Sequence, residues 1–172
     1  MVEGDLMAES RQFELCVAQT VLHLPCFFPS VSSVKTNLLP LYYVELLDAA
    51  AHPLFLVSAY DIANSSAEHR LRMDATLKSS VERGTVILMD SGNYEGFWKG
   101  GPAWVVDQFH ETARTSEHHL CFCYDNQEPP DTAEAIADDV IERVLRDQEH
   151  TIGTVVPIVH GETDLLADAT NT

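Results

Sequence analysis

Four apolar runs of this chain each end in a side chain that can do acid–base chemistry. The runs LFLVSAYD, TVILMD, HLCFCYD and VVPIVH end at Asp61, Asp90, Asp125 and His160, respectively. Polar side chains that follow the strands of a parallel α/β sheet meet at one edge of that sheet. The repetition therefore predicts one site, built from three carboxylates and an imidazole.

Asp90 is the first candidate because Ser91 and Gly92 follow it directly. These residue types favour a tight turn, whose backbone amides and hydroxyl can approach a ligand closely. A carboxylate in that position can act as a general acid, a general base or a nucleophile. The alternative is that Asp90 only caps the turn. Tyr94, four residues on, can stack on a planar ligand or cover the core.

Asp125 and His160 extend the candidate site. A carboxylate can accept hydrogen bonds from the ring imino and exocyclic amino groups of a guanine-like base, so Asp125 is a candidate reader of that base. An imidazole N–H can donate to a base carbonyl, which gives His160 a possible role as well. The alternatives are an N-cap or Asx turn before Pro129 for Asp125 and a plain turn residue beside Gly161 for His160.

The spacing of the candidates predicts the fold. Asp125 lies 35 residues after Asp90, and His160 lies 35 residues after Asp125. This spacing is the length of one βα unit. Alternating strands and helices indicate a parallel sheet with right-handed crossovers. A complete barrel usually needs about 250 residues, and the chain has 172. We therefore expect an α/β fold that is TIM-barrel-like, either the first half of a (β/α)8 barrel with about four βα units or an open four-stranded remnant.

The chain is predicted to form a single domain over residues 1–172. Its expected parts are a lead-in cap over 1–52, βα units over 53–162 and a frayed tail over 163–172. The cap is expected to hold a strand over 13–24 and a helix over 42–51. Further expected elements are strands over 54–60, 85–89, 119–124 and 154–159, helices over 65–83 and 103–115, and a loop over 96–102. Asp131 is expected to cap the last helix, whose predicted buried stripe is Ile136, Val140, Ile141, Val144 and Leu145.

The composition limits the partners of this chain. It has 27 Asp and Glu against 10 Lys and Arg, a net charge of -17, so we expect poor nucleic-acid binding by the chain alone. Such a surface solubilises a protein, is typical of proteins from high-salt cells, or excludes the wrong polyanion. No apolar run is long enough to span a bilayer, and Glu3, Asp5 and Glu9 stand where a secretory signal has basic residues. We therefore expect a cytoplasmic protein with no membrane partner.

Cys121 and Cys123 lie close to His118 and His119, a grouping that can bind a metal. The two-residue spacer that usually separates paired Cys ligands is missing, however. Two small apolar thiols on one face of a buried strand explain the pattern without a metal. The sequence thus favours a buried strand over a zinc site.

Taken together, these segments resemble one enzyme family. DSGNYE, after an apolar strand, is similar to the DSGGF-Gln signature of tRNA-guanine transglycosylases and of their DNA-modifying relatives that insert 7-deazaguanines. Three more stretches agree with the family in order and spacing: LPCFFPSVSSVK, CFCYDNQEPP and VPIVHGE. The resemblance covers about residues 13–162.

The resemblance implies a base exchange on tRNA or DNA. A carboxylate attacks the anomeric carbon, guanine leaves, and a 7-deazaguanine replaces it through a covalent glycosyl-enzyme intermediate. Carboxylates suit the charge that develops on the ribose, and the base must be flipped out to be reached. By position, Asp90 is then the general acid or base. The residues implied to contact the base are Ser91, Tyr94 as the stacking ring, Asp125 at the guanine-type edge and His160 at the base carbonyl.

The departures from the family imply an altered and incomplete site. Five positions differ from the family's motifs. The family has Gly, Gln, Cys, Gln and Gly where this chain has, respectively, Asn93, Glu95, Gln127, His160 and Glu162. The family's nucleophilic Asp, Gly-rich strand and zinc site lie beyond Thr172, so we expect no cofactor in this chain. Exchange is expected only with a partner chain or a carboxyl-terminal half, in a homo- or hetero-oligomer. The alternatives are a noncatalytic purine-binding or subunit-interaction module of the same ancestry, and an unrelated α/β domain with a small-molecule site.

Overall fold

A computed structural model describes residues 13–34, 36–100, 103–125 and 128–160. A hairpin of two strands, β1 (Phe13–Val17) and β2 (Thr20–Leu24), precedes strands that alternate with helices. The further strands are β3 (Ser30–Val31), β4 (Leu54–Ser58), β5 (Val86–Asp90), β6 (Leu120–Phe122) and β7 (Thr154–Val156). The helices are α1 (Pro40–Ala49), α2 (Ala59–Ala63), α3 (Ala67–Glu82), α4 (Asn93–Lys99), α5 (Val106–Thr115) and α6 (Ala133–Gln148).

The strands β3 to β7 form one parallel sheet in which every strand lies beside its neighbour in sequence. The predicted α/β class with a parallel sheet is confirmed. The sheet has five strands rather than four, because Ser30 and Val31 pair with Leu56 and Val57. Residues 30–49 are thus the first βα unit and not part of a lead-in cap. The sequence did not indicate β3 because only two residues pair and Pro29 interrupts the apolar pattern.

One face of the sheet holds the main core. Strand side chains such as Phe55, Ile87 and Cys121 point into it and pack against α1, α3 and α5. Helix α6 lies on the same face, since Arg143 contacts the Sγ of Cys123. Apolar burial on this face supplies the main driving force for folding. The fully buried members are Val31, Leu41, Val44, Phe55, Val57, Ala59, Ile62, Met73, Leu77, Ile87, Met89, Phe109, Ala113 and Cys121.

Among the described residues, the opposite face is covered at the amino ends of the strands alone. There Val17 and Leu22 of the hairpin pack against Val86, with Leu54 and Leu120 beside them. Nearer the carboxyl ends, the side chains on this face belong to Leu56, Leu88, Phe122 and Val156, and all but Leu88 are half-buried. An apolar sheet face of this kind needs a covering layer.

Several element boundaries differ from the sequence expectation. The single strand predicted over 13–24 is a hairpin, with Ala18 at a φ of 52° in its turn. Tyr60 and Asp61, predicted to end a strand, lie in helix α2. The loop predicted over 96–102 is helical as far as Lys99. Helix α6 is capped by Thr132, whose Oγ1 accepts a 3.3 Å hydrogen bond from the N–H of Ala135, and not by Asp131.

Helix α6 also buries a different face from the one predicted. Ile136 and Val140 are buried as expected, but Ile141 and Leu145 are exposed. The remaining buried positions belong to Arg143 and Asp147. The apolar pattern failed here because it assumes that charged side chains face the solvent.

Across the described parts of the chain, no helix combines the length and apolar character that crossing a membrane requires.

Candidate functional site

The carboxyl ends of the parallel strands bring the predicted acidic residues to one edge of the sheet. Asp90 is the last residue of β5, and Asp61 lies in the helix that follows β4. Asp125 and His160 follow β6 and β7, and the Nε2 of His160 lies 2.6 Å from the Oδ1 of Asp125. The negative charges of Glu95 and Asp125 both act on Asp90. The edge is therefore a row of interacting acids, as the spacing predicts.

A glycine turn connects Asp90 to helix α4. Gly92 adopts a φ of 84°, and its N–H donates a 3.3 Å hydrogen bond to the Oδ2 of Asp90. A Cβ at Gly92 would lie 2.5 Å from the Cβ and backbone nitrogen of Tyr60, so the turn also needs glycine for space. Asp90 thus caps the turn, which was one of its two predicted roles. It also lines a cavity, so the second role stays open.

The cavity beside Asp90, here called the Asp90 cavity, has a volume of about 450 Å³. Leu56 of the sheet and Tyr94 of α4 both line it. Tyr94 is 47% exposed and is not part of the buried core. The lining residues are Ser30, Ser32, Val34, Thr36, Tyr43, Leu56, Asp90, Tyr94 and Glu95.

Glu95 is a site residue that the sequence analysis did not select. It is only 3% exposed. Its Oε1 accepts a 2.6 Å hydrogen bond from the hydroxyl of Ser32, and its Oε2 accepts a 2.9 Å bond from the hydroxyl of Ser58. Two hydroxyl donors compensate for the buried carboxylate. The signal available in the sequence was the replacement of a family Gln by Glu at this position.

Burial and neighbouring charge make Asp90 a protonatable acid. Burial, together with the negative charges of Glu95 and Asp125, raises the pKa of Asp90 to about 6, against the lowering effect of the Gly92 and Ser91 backbone amides. A carboxyl group with a pKa close to the working pH can both donate and accept a proton. Asp90 therefore has the electrostatics that a general acid or base requires.

Asp61 is held apart from Asp90. Its carboxylate accepts hydrogen bonds from the hydroxyl of Ser33 and, at 2.7 Å, from the N–H of Ser33. Burial raises the pKa of Asp61 to about 6, although the Ser33 hydrogen bonds lower it. Asp61 faces a separate cavity of about 360 Å³ that Tyr60, His69 and Lys99 also line. The structure thus places Asp61 at the same edge but outside the Asp90 cavity.

A third cavity, the Asp125 cavity, lies on the other side of α4 and has a volume of about 280 Å³. Three of the residues that line it are aromatic, and the Nδ2 of Asn93 donates a 2.8 Å hydrogen bond to the carbonyl of Asp125. The lining residues are Asn93, Gly96, Phe97, Ala103, Trp104, Tyr124 and Asp125. Aromatic walls with one carboxylate suit a flat, polar-edged ligand.

Hydrogen bonds hold the aromatic walls of the Asp125 cavity in place. The Nε1 of Trp104 donates a 2.8 Å bond to the carbonyl of Ser91, and the hydroxyl of Tyr124 donates a 2.7 Å bond to the carbonyl of Trp104. The Trp104 ring also packs edge-on against Tyr60. Ser91 is buried. Its observed contribution to the cavity is its carbonyl, which accepts the hydrogen bond from Trp104.

Asp125 and His160 are in close contact. The Oδ1 of Asp125 lies 2.6 Å from the Nε2 of His160, but the geometry is not that of an aligned hydrogen bond. Among the described residues, nothing donates an aligned hydrogen bond to this buried oxygen. Buried carboxylate oxygens without a donor are rare in proteins.

Helix α4 separates the two carboxylates that the sequence analysis assigned to one pocket. Asp90, Tyr94 and Glu95 line one cavity, and Asp125 lines the other. The single pocket expected from strand ends is thus divided, because residues 93–99 form a helix over the sheet edge instead of an open loop.

Cys121, Cys123 and His118 are buried, whereas His119 is half-buried. Burial raises the pKa of Cys121 and of Cys123 and lowers the pKa of His118. The Nδ1 of His118 lies 2.8 Å from the carbonyl of Ser116, and its Nε2 lies 2.7 Å from the hydroxyl of Thr151. Within the ranges that the structure describes, no group of three or more His, Cys, Asp or Glu side chains can hold a metal ion.

Comparison with known proteins adds no relative to this description. No family model matches the chain, and no curated protein matches it.

Proposed function

We propose that this chain supplies the base-recognition and acid–base part of a transglycosylase-like base exchange, in which guanine in tRNA or DNA is replaced by a 7-deazaguanine. One observation carries the proposal. Asp125 presents a buried carboxylate oxygen without an aligned donor in an aromatic cavity, and Asp90, a carboxyl group with a pKa of about 6, ends the neighbouring strand.

Asp125 gives the site a preference for guanine-type bases. Its carboxylate can accept from the ring N–H and the exocyclic amino group on one edge of guanine, whereas adenine presents a ring acceptor at the corresponding position. Phe97, Trp104 and Tyr124 line the same cavity and can contact the faces of the ring. His160, in contact with Asp125, can donate to the base carbonyl.

Asp90 supplies the proton. When the glycosidic bond breaks, the leaving base needs a proton on its ring nitrogen. A protonated Asp90 can donate it as general acid when the bound nucleotide extends from the Asp125 cavity past α4 to Asp90. The ionised Asp90 can then take a proton back from the incoming base. The carboxylate that attacks the anomeric carbon comes, in this proposal, from a partner chain or a carboxyl-terminal half.

In the same proposal, the sheet is part of a (β/α)8 barrel. The strands follow one another in chain order, and α1, α3, α5 and α6 all lie on one face. A doubly wound sheet has helices on both faces, whereas a barrel keeps its inner face free of helices. The half-buried side chains of Leu56, Phe122 and Val156 lie on that inner face, where further strands would cover them.

A noncatalytic purine-binding or subunit-interaction module is the second candidate. The net charge of -17 favours it, because a surface that grips phosphates needs Lys and Arg. In both candidates the nucleic acid is bound mainly by another chain or segment.

Ligand-induced stabilisation tests the proposal. Guanine or a 7-deazaguanine is expected to raise the melting temperature, because a ligand that binds only the folded state stabilises it. Asp125→Ala is expected to abolish the rise in melting temperature. Glu149→Ala removes the same charge at an exposed position and is expected to leave the rise unchanged. A shift that survives Asp125→Ala excludes Asp125 as the base reader. With this chain alone, labelled guanine is expected not to be incorporated into tRNA or DNA. Once a partner chain or carboxyl-terminal half is supplied, incorporation is expected for the base-exchange enzyme but not for the noncatalytic module.

A further inference from the structure

Helix α6 buries two charged side chains, Arg143 and Asp147, one turn apart. Arg143 is 6% exposed and Asp147 is 0% exposed. Burying charged groups is unfavourable unless they are paired and hydrogen-bonded. Packing alone needs only apolar residues at such positions, as Val140 shows on the same face. The contacts of the two side chains therefore indicate what they do.

Both side chains bind the backbone of Tyr124, the residue before Asp125. The Oδ2 of Asp147 accepts a 2.6 Å hydrogen bond from the N–H of Tyr124. The Nη1 of Arg143 donates a 3.2 Å hydrogen bond to the carbonyl of Tyr124. This carbonyl belongs to the peptide bond that leads to Asp125, so the two contacts fix the direction in which the chain enters Asp125.

Arg143 also binds the segment that leads to His160. Its Nη2 donates a 3.3 Å hydrogen bond to the carbonyl of Ile158. The N–H of Ile158 in turn lies 3.3 Å from the Sγ of Cys123, which Nη1 of Arg143 contacts at 3.4 Å. One guanidinium thus connects the chain after β6 with the chain after β7.

Neighbouring groups hold both anchors. Asp147 Oδ1 lies 2.8 Å from the Nε2 of His110 and accepts a 2.7 Å hydrogen bond from the Nε of Arg146. Arg143 donates a 3.0 Å hydrogen bond from Nε to the Oδ2 of Asp139. Several hydrogen bonds thus fix the side chains of Arg143 and Asp147, which is what a positioning role requires.

We propose that Arg143 and Asp147 are positioning residues that hold Asp125 and His160 in contact at the base-recognition site without touching the base. The expected effect of Arg143 and Asp147 on base binding rests on the proposed function. Their expected effect on the contact between Asp125 and His160 is independent of the proposed function.

Arg143→Lys tests the proposal, because Lys keeps the charge but lacks the planar fork that reaches several acceptors. Crystal structures of the variants give the distance between Asp125 Oδ1 and His160 Nε2, and calorimetry gives the dissociation constant for guanine. Arg143→Lys is expected to separate the two side chains beyond ion-pair distance. It is also expected to weaken guanine binding about tenfold, the loss expected for one hydrogen bond to a charged group. Val140→Ala, a change on the same helix face, is expected to change neither quantity.

A double-mutant cycle distinguishes positioning from a general effect on the fold. If Arg143 acts through Asp125, Arg143→Lys is expected to have no further effect on guanine affinity once Asp125 is replaced by Asn. The same loss in both backgrounds overturns the proposal. An unchanged Asp125–His160 distance in Arg143→Lys overturns it as well.

Two controls keep the outcomes separate. If the unmodified chain binds no guanine, the proposed function fails, whereas a lengthened Asp125–His160 contact still supports the positioning role. If Arg143→Lys does not fold, Asp147→Asn is the second variant, since it has nearly the same volume. It is expected to lengthen the same contact and to accelerate hydrogen exchange of the Tyr124 amide, and unchanged values of both overturn the proposal.

Discussion

Asp90, which precedes the glycine turn, and Glu95, which lies on α4 after it, line the same cavity, and the buried charge of Glu95 contributes to the raised pKa of Asp90. Ser32 and Ser58 donate hydrogen bonds to the two oxygens of Glu95. The backbone amides of Gly92 and Ser91 lower the pKa of Asp90, but burial outweighs them. Asp90 is therefore suited to exchange a proton near neutral pH.

Removing the charge of Glu95 is expected to lower the pKa of Asp90 from about 6. Glu95→Gln keeps the size of the side chain and removes the negative charge that disfavours ionisation of Asp90. Carbon-detected NMR titration of the carboxyl groups measures the change. Glu149→Gln, at an exposed position, is the matched control and should leave the Asp90 titration unchanged. An identical Asp90 pKa in Glu95→Gln would show that the charge of Glu95 does not contribute to the shift.

The stability of the protein should increase as the pH falls from about 7 towards 4. Asp61 and Asp90 have folded-state pKa values raised from 3.8 to about 6, so between these values the folded state binds protons that the unfolded state does not. Their ionisation destabilises the fold above pH 6, by about 2 to 3 kcal/mol for each group. This penalty is lost as the pH falls through 6 towards 4.

Urea unfolding at a series of pH values in about 1 M salt, where surface charges are screened, measures this dependence. Asp61→Asn and Asp90→Asn should each flatten the slope between pH 4 and 7. A slope that is unchanged in both variants would mean that other groups control the pH dependence.

Gly92 and Gly84 form a matched pair for testing the turn after Asp90. Both adopt positive φ, 84° and 90°, but a Cβ at Gly92 meets Tyr60 whereas a Cβ at Gly84 meets nothing within 4 Å. Gly84→Ala should therefore cost about 1 kcal/mol of stability from backbone strain alone. Gly92→Ala should cost about 1 to 3 kcal/mol more from overpacking. Equal losses on urea unfolding would contradict the close approach of the turn to α2.

The acidic composition predicts stabilisation by salt. With a net charge of -17, repulsion between like charges opposes the compact state, and salt screens it. Exposed ion pairs such as Arg72 with Glu45 are weakened by salt, but each contributes little. The melting temperature should therefore rise between 0.1 and 2 M KCl, measured by calorimetry. A flat or falling curve would indicate that attractive pairs outweigh the repulsion.

The sequence predicted the parts of the fold that depend on apolar runs. The strands ending near Asp90 and Asp125 and the helix capped by Ser66 follow patterns with a direct physical cause, and the structure has them. Strand β3 was missed because two paired residues beside a proline make no such run. Helix α4 was missed because Gly96 suggested a loop, whereas this glycine packs against the Cβ of Trp104.

The candidate site was predicted less completely than the fold. The positions of Asp90, Asp125 and His160 at strand ends follow from the 35-residue spacing. The burial of Glu95 and of Arg143 could not be predicted, because it depends on partners that are distant in sequence, such as Ser32 for Glu95 and Tyr124 for Arg143. The division of the edge by α4 is a tertiary property that no local pattern encodes.

The affinities of the protein for different purines, measured by isothermal titration calorimetry, test most directly the claim that Asp125 recognises a guanine-type base. The account predicts that guanine binds most tightly, that hypoxanthine, which lacks the exocyclic amino group, binds more weakly, and that adenine does not bind. Asp125→Asn should weaken guanine binding about ten- to hundredfold, as expected for the loss of hydrogen bonds to a charged acceptor. Equal affinity for guanine and adenine, or guanine binding that Asp125→Asn leaves unchanged, would contradict the account.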